Sequence, residues 1–171
     1  QAISDSSFAC THLGANTVTL SLTDPGGNSG SCTSTVTVID SSAPTMVCQD
    51  LTVHLDASGN ATITSGDVDG GSSDNCSVAS TSIDISSFTC SNVGATTVTL
   101  TATDSSSNSA TCTGTVTIVD STSPTAVCQN LTVYLGTTGS VTVSGSDPDA
   151  GSSDACGVSS LTINSTSFTC S

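Results

Sequence analysis

The sequence predicts an all-β protein made of tandem immunoglobulin-like β-sandwich repeats of about 80 residues, stapled by disulfide bonds. Three observations carry this prediction: the whole sequence repeats, its composition suits strands, and it contains nine Cys residues. Ser and Thr supply 66 of the 171 residues, while Glu, Lys and Arg are absent. Strong helix formers are therefore scarce, whereas β-branched Thr and Val favour strands.

The repeat is regular and contains no gap. Shifting the sequence by 80 positions matches 48 of the 91 positions compared. The Cys residues keep the same period, giving the sets Cys10/Cys90/Cys170, Cys32/Cys112, Cys48/Cys128 and Cys76/Cys156. Such self-similarity indicates repeated structural units stacked along one chain.

Two Pro residues mark the expected boundaries between repeats. Pro44 and Pro124 each follow a short polar segment, and Pro favours an extended, fairly stiff joint. We expect the second half of one repeat over residues 1–42, a complete repeat over 43–122, and the first half of the next over 123–171. The sequence would then be a window onto a longer array.

Strand signals within the complete repeat follow in chain order. Alternation of apolar and polar residues, with β-branched side chains, predicts strands over 47–55, 61–63, 78–85, 98–103 and 110–119. The last two should form a hairpin around a polar turn at 104–108. Roughly seven short strands in one repeat suit an immunoglobulin-like sandwich. Phe88, repeated as Phe8 and Phe168, is the predicted aromatic anchor of the core.

Charge and hydropathy exclude several classes of function. The net charge is −14, so phosphate groups of nucleic acid would be repelled. No apolar run approaches the roughly 18 residues of a membrane span. An enzyme is not expected, because His12 and His54 are replaced by Asn92 and Tyr134 in the next repeat. The Cys content favours an extracellular location.

The motifs of the complete repeat resemble those of the hyalin repeat (HYR) family. The segments that carry the resemblance are Pro44-x-x-x-Cys48, Ser73-Asp74-Asn75-Cys76, Phe88-x-Cys90, Gly94-Ala95-Thr96-Thr97-Val98, Thr103-Asp104-x-x-x-Asn108 and Cys112-x-x-x-Val116. The resemblance implies immunoglobulin-like modules, arranged in tandem in secreted and cell-surface proteins and associated with adhesion.

Four Cys in each repeat allow three pairings, and the residues alone do not choose among them. The resemblance, together with the strand order, favours Cys48–Cys112 and a local Cys76–Cys90 bond. The same scheme pairs Cys156 with Cys170 and leaves the partners of Cys10, Cys32 and Cys128 outside the chain. Thiolate metal binding is the alternative, but no C-x-x-C spacing supports it.

Acidic residues recur in step with the repeat and suggest calcium binding. Ca²⁺ takes about six to eight oxygen ligands, which Asp and Asn can supply. The alternative is that these side chains cap turns and keep the surface charged. The candidate ligands are Asp67, Asp69, Asp74, Asp147, Asp149, Asp154, Asp104, Asn108, Asp40 and Asp120.

The sequence also predicts sites of glycosylation and a form of assembly. Sequons begin at Asn60, Asn130 and Asn164, and a further one at Asn75 includes Cys76. The repetition predicts a structural extracellular fibre, stalk or filament whose partners are other copies of the repeat. The alternative function is a cell-surface adhesion module, stiffened by calcium.

Overall fold

The computed structural model describes residues 2–169, and β-strands dominate it. The predicted all-β class is therefore confirmed. One sheet contains four strands, Leu51–His54 (β4), Val78–Ile83 (β6), Gly94–Asp104 (β8) and Ser109–Val119 (β9). These strands lie in the spatial order β4-β9-β8-β6. β4 runs parallel to β9, and β6 runs antiparallel to β8.

A second hairpin precedes this sheet, one repeat earlier in the sequence. Gly14–Thr23 (β2) and Ser29–Val38 (β3) pair antiparallel along their whole length, and Ala2–Ile3 (β1) extends the pair to three strands. β2 and β3 occupy the sequence positions of β8 and β9 in the neighbouring repeat. The same residue pattern therefore gives the same local structure twice.

Short strand pairs recur in the same way. Asn60–Thr62 (β5) pairs with Ser87–Thr89 (β7), and Ser140–Thr142 (β10) pairs with Ser167–Thr169 (β11). Isolated bridges also repeat, with Thr45↔Ser73 and Cys48↔Asp69 matched by Thr125↔Ser153 and Cys128↔Asp149. Each of these pairs is displaced from its counterpart by one full period of the repeat.

The first predicted strand of the repeat is shorter than expected. Residues 47–49 pair with a loop instead of a sheet: Gly70 N–H donates to the Val47 carbonyl at 2.8 Å, and Gln49 N–H to the Val68 carbonyl at 2.9 Å. The ladder therefore starts only at Leu51. The loop contains the single-turn helix Ser65–Val68 (α1), which alternation of apolar residues did not predict.

The described chain forms two compact units. One combines residues 2–50, 64–85 and 97–115, and the other combines 51–63, 86–96 and 116–169. The repeat boundaries at 42/43 and 122/123 stay a prediction. The buried apolar side chains of the first unit are Val68, Val98, Leu100 and Ala102; those of the second are Leu55, Ile63, Phe88, Val116, Ile118 and Val143.

Three disulfide bonds cross-link the described residues. Cys48–Cys112 forms as the resemblance implies, whereas the expected local Cys76–Cys90 bond is wrong. Cys76 bonds to Cys10, and Cys90 bonds to Cys156.

These bonds also contradict two other predictions about Cys pairing. Cys10 has its partner within the chain, contrary to expectation, and the predicted Cys156–Cys170 bond is also wrong because Cys156 is already paired. Cys170 lies outside the described residues. Cys32 and Cys128 carry free, exposed thiols. Cys76 and Cys90 are close in sequence, but β6 and β7 lie between them. Nearness in sequence therefore does not bring these two sulfur atoms together.

The disulfide loops overlap along the sequence. The bonded pairs are separated by 66, 64 and 66 residues, so Cys48 lies inside the first loop and Cys90 inside the second. The first and third bonds are equivalent, since both of their ends are displaced by one full period. Wherever the repeat boundary is drawn, a bond of this set crosses it.

No helix among the described residues has the length and apolar character needed to cross a membrane.

Replacing Phe88 with Ala should destabilise the fold by about 3–5 kcal/mol, because the ring is 1% exposed and a cavity would remain. The matched control is Phe168→Ala at the equivalent position, where the ring is 46% exposed. Urea unfolding followed by circular dichroism measures both. An equal loss of unfolding free energy in the two variants would contradict the assignment of Phe88 to the core.

Candidate cation centre

Three carboxylates from distant parts of the sequence meet in the first unit. One oxygen from each of Asp40, Asp74 and Asp104 lies within 4.8 Å of the other two. Asp40 follows β3, Asp74 lies in the loop after α1, and Asp104 is the last residue of β8. We call this set the acidic centre.

Asp104 is held by the hairpin turn between β8 and β9. Its Oδ1 accepts the backbone N–H groups of Ser106 and Asn108, both at 2.8 Å, and its Oδ2 accepts the Asn108 side-chain amide at 2.8 Å. Burial raises the pKa of Asp104, but these hydrogen bonds outweigh it, and the pKa lies below its usual value. Asp104 therefore caps a turn and remains a carboxylate.

Asn108 also joins the turn to the segment after β3. Its side-chain Nδ2 donates to the backbone carbonyl of Asp40 at 3.1 Å as well as to Asp104. The equivalent turn between β2 and β3 repeats the cap, with Asp24 Oδ1 accepting the Asn28 N–H at 2.8 Å. The turn-capping interpretation of this Asp/Asn pair is correct, and the capped Asp104 also belongs to the acidic centre.

Asp40 and Asp74 each have one satisfied oxygen and one oxygen without a partner. Asp40 Oδ1 accepts the N–H of Ser42 and the side-chain amide of Asn75, and Asp74 Oδ1 accepts the N–H groups of Cys76 and Ser77. The Oδ2 atoms of both residues are buried without a hydrogen bond. Buried polar atoms are nearly always paired, so these two require an explanation.

The acidic centre has no protein cation to balance it. Lys and Arg are absent from the sequence, and Asp40 and Asp104 are only 8% and 3% exposed. Two unit charges 4.8 Å apart repel by about 3–4 kcal/mol at an effective dielectric constant of about 20. A bound cation or a proton would neutralise such a group.

The next repeat has a partial copy of the acidic centre. Asp120 and Asp154 lie with Cys156 within 4.8 Å, and Asp154 Oδ2 is again buried without a partner. The sulfur of Cys156 is bonded to Cys90 and so is not a thiolate ligand. This second group supplies two carboxylates where the first supplies three.

The Asp-x-Asp loops do not join either group. Asp67 Oδ2 accepts the N–H and hydroxyl of Thr64, both at 2.7 Å, which caps α1, and Asp69 Oδ1 accepts the N–H of Ser72 at 2.8 Å. Asp147 and Asp149 make the corresponding bonds to Ser144 and Ser152. Among the described residues, these four side chains act as caps and do not assemble into a cluster of three potential ligands.

Asn75 was named in the sequence as part of a sequon and of the HYR-like segment, and in the structure it borders the acidic centre. Its Nδ2 donates to Asp40 Oδ1 at 3.2 Å and orients that carboxylate. Its position between Asp74 and Cys76 is the signal that could have placed it here. The other sequon residues, Asn60, Asn130 and Asn164, are exposed, and their glycosylation stays a prediction.

Neither His residue belongs to the acidic centre. His12 Nδ1 accepts the N–H of Ala9 at 3.1 Å, and His54 Nδ1 lies 3.2 Å from the Ser121 hydroxyl. Both are exposed.

Comparison with known proteins identifies no relative: no protein-family model and no curated protein sequence matches the chain. The HYR resemblance therefore stays a prediction.

Stability should fall in acid because several capping carboxylates have lowered pKa values. The backbone N–H of Thr64 lowers the pKa of Asp67, and that of Thr99 lowers the pKa of Asp84, from a usual value of 3.8. A lowered folded-state pKa gives stability that is present above the unfolded-state pKa and is lost as the pH falls through the folded-state value. We expect the unfolding free energy to decline as the pH drops below about 5.

Urea unfolding at a series of pH values measures this decline. In Asp84→Asn, the unfolding free energy should fall less steeply with decreasing pH. The acceptor oxygen for the Thr99 N–H remains, whereas the titrating carboxyl group is removed. Asp5→Asn, at an exposed position, is the control. The same slope in Asp84→Asn and in the unmodified protein would contradict the role of Asp84.

Proposed function

We propose that the chain belongs to an extracellular array of immunoglobulin-like β repeats whose role is mechanical, as a fibre, stalk or filament. The overlapping disulfide bonds are the observation that carries this proposal. Disulfide bonds of this number are compatible with an oxidising compartment outside the cell. The partners are other copies of the same repeat.

The covalent topology suits a protein that bears tension. A force applied between Cys10 and Cys156 passes through two disulfide bonds and only the short segment from Cys76 to Cys90. The rest of the backbone between the two ends is bypassed. Extended backbone spans at most about 3.3–3.6 Å per residue, so the bonds reduce the available extension about tenfold.

The apolar surfaces also fit an array. Leu131, Val133 and Leu135 are 45%, 40% and 45% exposed, whereas Leu55, the counterpart of Leu135, is 5% exposed. In the complete repeat, β4 carries the first two equivalent residues and pairs with β9, and Leu55 follows directly with its N–H donating to the Val119 carbonyl. A hairpin from another repeat of the same kind would cover the exposed residues in the same way.

The alternative is an adhesion module, for which an exposed aromatic patch would be the expected feature. Tyr134 is 86% exposed, and His54 replaces it at the equivalent position. Phe168 is 46% exposed, but it lines an apolar cavity with Leu131 and Val133 that Tyr134 does not line. The two aromatic side chains do not form one patch, so the mechanical role is the better supported of the two.

Single-molecule pulling from the two chain ends tests the proposed load path, in a Cys32→Ser/Cys128→Ser/Cys170→Ser background that removes the Cys residues outside the three bonds. With the bonds intact, about 38 residues lie on the shortest covalent path, so the unfolded contour length should be about 130 Å. Complete reduction should lengthen it to about 580 Å, because all of the backbone is then extended.

Two variants distinguish the bonds from one another. Removing Cys10–Cys76 with Cys10→Ser/Cys76→Ser should lengthen the oxidised path to about 84 residues, or about 290 Å. Removing Cys48–Cys112 with Cys48→Ser/Cys112→Ser should leave the length unchanged, because that bond is not on the shortest path. An unchanged contour length in the Cys10→Ser/Cys76→Ser variant would contradict the proposed load path.

Electron microscopy of the native secreted material tests the array itself. The proposal expects continuous filaments or rods of repeated modules, whereas isolated compact particles would contradict it.

A further inference from the structure

We propose that Asp40, Asp74 and Asp104 together bind one calcium ion. The proposal is independent of the mechanical role, since it concerns a binding site within one unit of a single chain. It starts from the two carboxylate oxygens that lack hydrogen bonds, Asp40 Oδ2 and Asp74 Oδ2. Asp40 is more than nine-tenths buried, so bulk water does not solvate its charge.

The spacing of the three carboxylates suits one ion. Calcium–oxygen distances are about 2.3–2.6 Å, so two oxygens on one ion lie at most roughly 4.6–5.2 Å apart. The three oxygens of the acidic centre lie within 4.8 Å of one another. An ion between them can therefore contact all three without a large movement of the backbone.

The existing hydrogen bonds orient the three carboxylates and still leave each of them able to bind a cation. Oδ1 of Asp40 and of Asp74 accepts two donors, which leaves each Oδ2 free for the ion. Asp104 is bonded through both oxygens, but a carboxylate oxygen has two lone pairs and can accept a hydrogen bond while it binds a cation.

Water can supply the remaining ligands. Asp40 and Asn75 line an open cavity of about 280 Å³, so a hydrated ion can approach the acidic centre from the side of Asp40. Three carboxylates plus several waters meet the preference of Ca²⁺ for about six to eight oxygens. Mg²⁺ is the less suitable ion, since it demands a near-ideal octahedron and dehydrates reluctantly.

The partial copy in the next repeat should bind more weakly. Asp120 and Asp154 repeat two of the three carboxylates, and Asp154 Oδ2 is also buried without a partner. We therefore expect one strong calcium site at the acidic centre and one weak site at the partial copy.

Isothermal titration with CaCl₂, and thermal unfolding in 1 mM CaCl₂ or in a chelator, test the proposal. We expect binding in the micromolar range and a rise in melting temperature of about 5 °C or more with calcium. MgCl₂ at the same concentration should give a much smaller rise. No difference between calcium and chelator in the unmodified protein would overturn the proposal.

Asp74→Asn is the decisive variant. It retains an oxygen for the N–H groups of Cys76 and Ser77 but removes the charge, so calcium affinity at the strong site should fall at least about tenfold. The matched control is Asp69→Asn, because Asp69 Oδ1 also accepts two backbone N–H groups, from Gly71 and Ser72, outside the acidic centre. Equal calcium affinity in the two variants would overturn the assignment.

The stability of the same variants without calcium provides a second readout. Removing one charge relieves repulsion, so Asp74→Asn should melt at a higher temperature than the unmodified protein in chelator and at a lower one in calcium. A purely structural role for Asp74 predicts a lower melting temperature in both. Should Asp74→Asn fail to fold, Asp40→Asn removes the other oxygen that lacks a hydrogen bond and is judged by the same two measurements.

Discussion

The covalent connections between Cys10 and Cys76 and between Cys90 and Cys156 constrain every other part of this protein. Each closes a loop of 66 residues, and the Cys48–Cys112 loop overlaps both. Cross-links of this length reduce the entropy of the unfolded chain by several kcal/mol on the chain-entropy model. A sequence with four aromatic residues and small side chains buries little apolar surface, so this contribution is a large part of its stability.

The sequence predicted the strands well and the long-range cross-links poorly, for a physical reason. Alternation of apolar and polar residues reports which face of a strand is buried, which is a local property, and it located the β8–β9 hairpin closely, apart from the first few residues of β8. A disulfide bond depends on where two distant segments meet, and spacing alone does not encode that. The correct pairing of Cys76 required the fold.

The acidic residues show the same contrast between local patterns, which the sequence predicts, and long-range contacts, which it does not. Asp67 and Asp69 were candidate cation ligands because they are neighbours in sequence, but one oxygen of each caps a local turn and neither lies in a cluster of three potential ligands. Asp40, Asp74 and Asp104 lie in separate parts of the sequence and meet only after folding. The sequence named all three as candidates, but their association depends on β3, β8 and the loop after α1.

The overlapping loops affect how a strained repeat recovers. In the mechanical role proposed above, tension would open a core such as the one around Phe88, and the Cys90–Cys156 bond would keep the separated segments close together. The search to reform the native contacts is then short, since the entropy of loop closure has already been reduced by the bond. A repeat opened in this way would therefore close again quickly once the load falls, and transient damage would not accumulate into permanent lengthening.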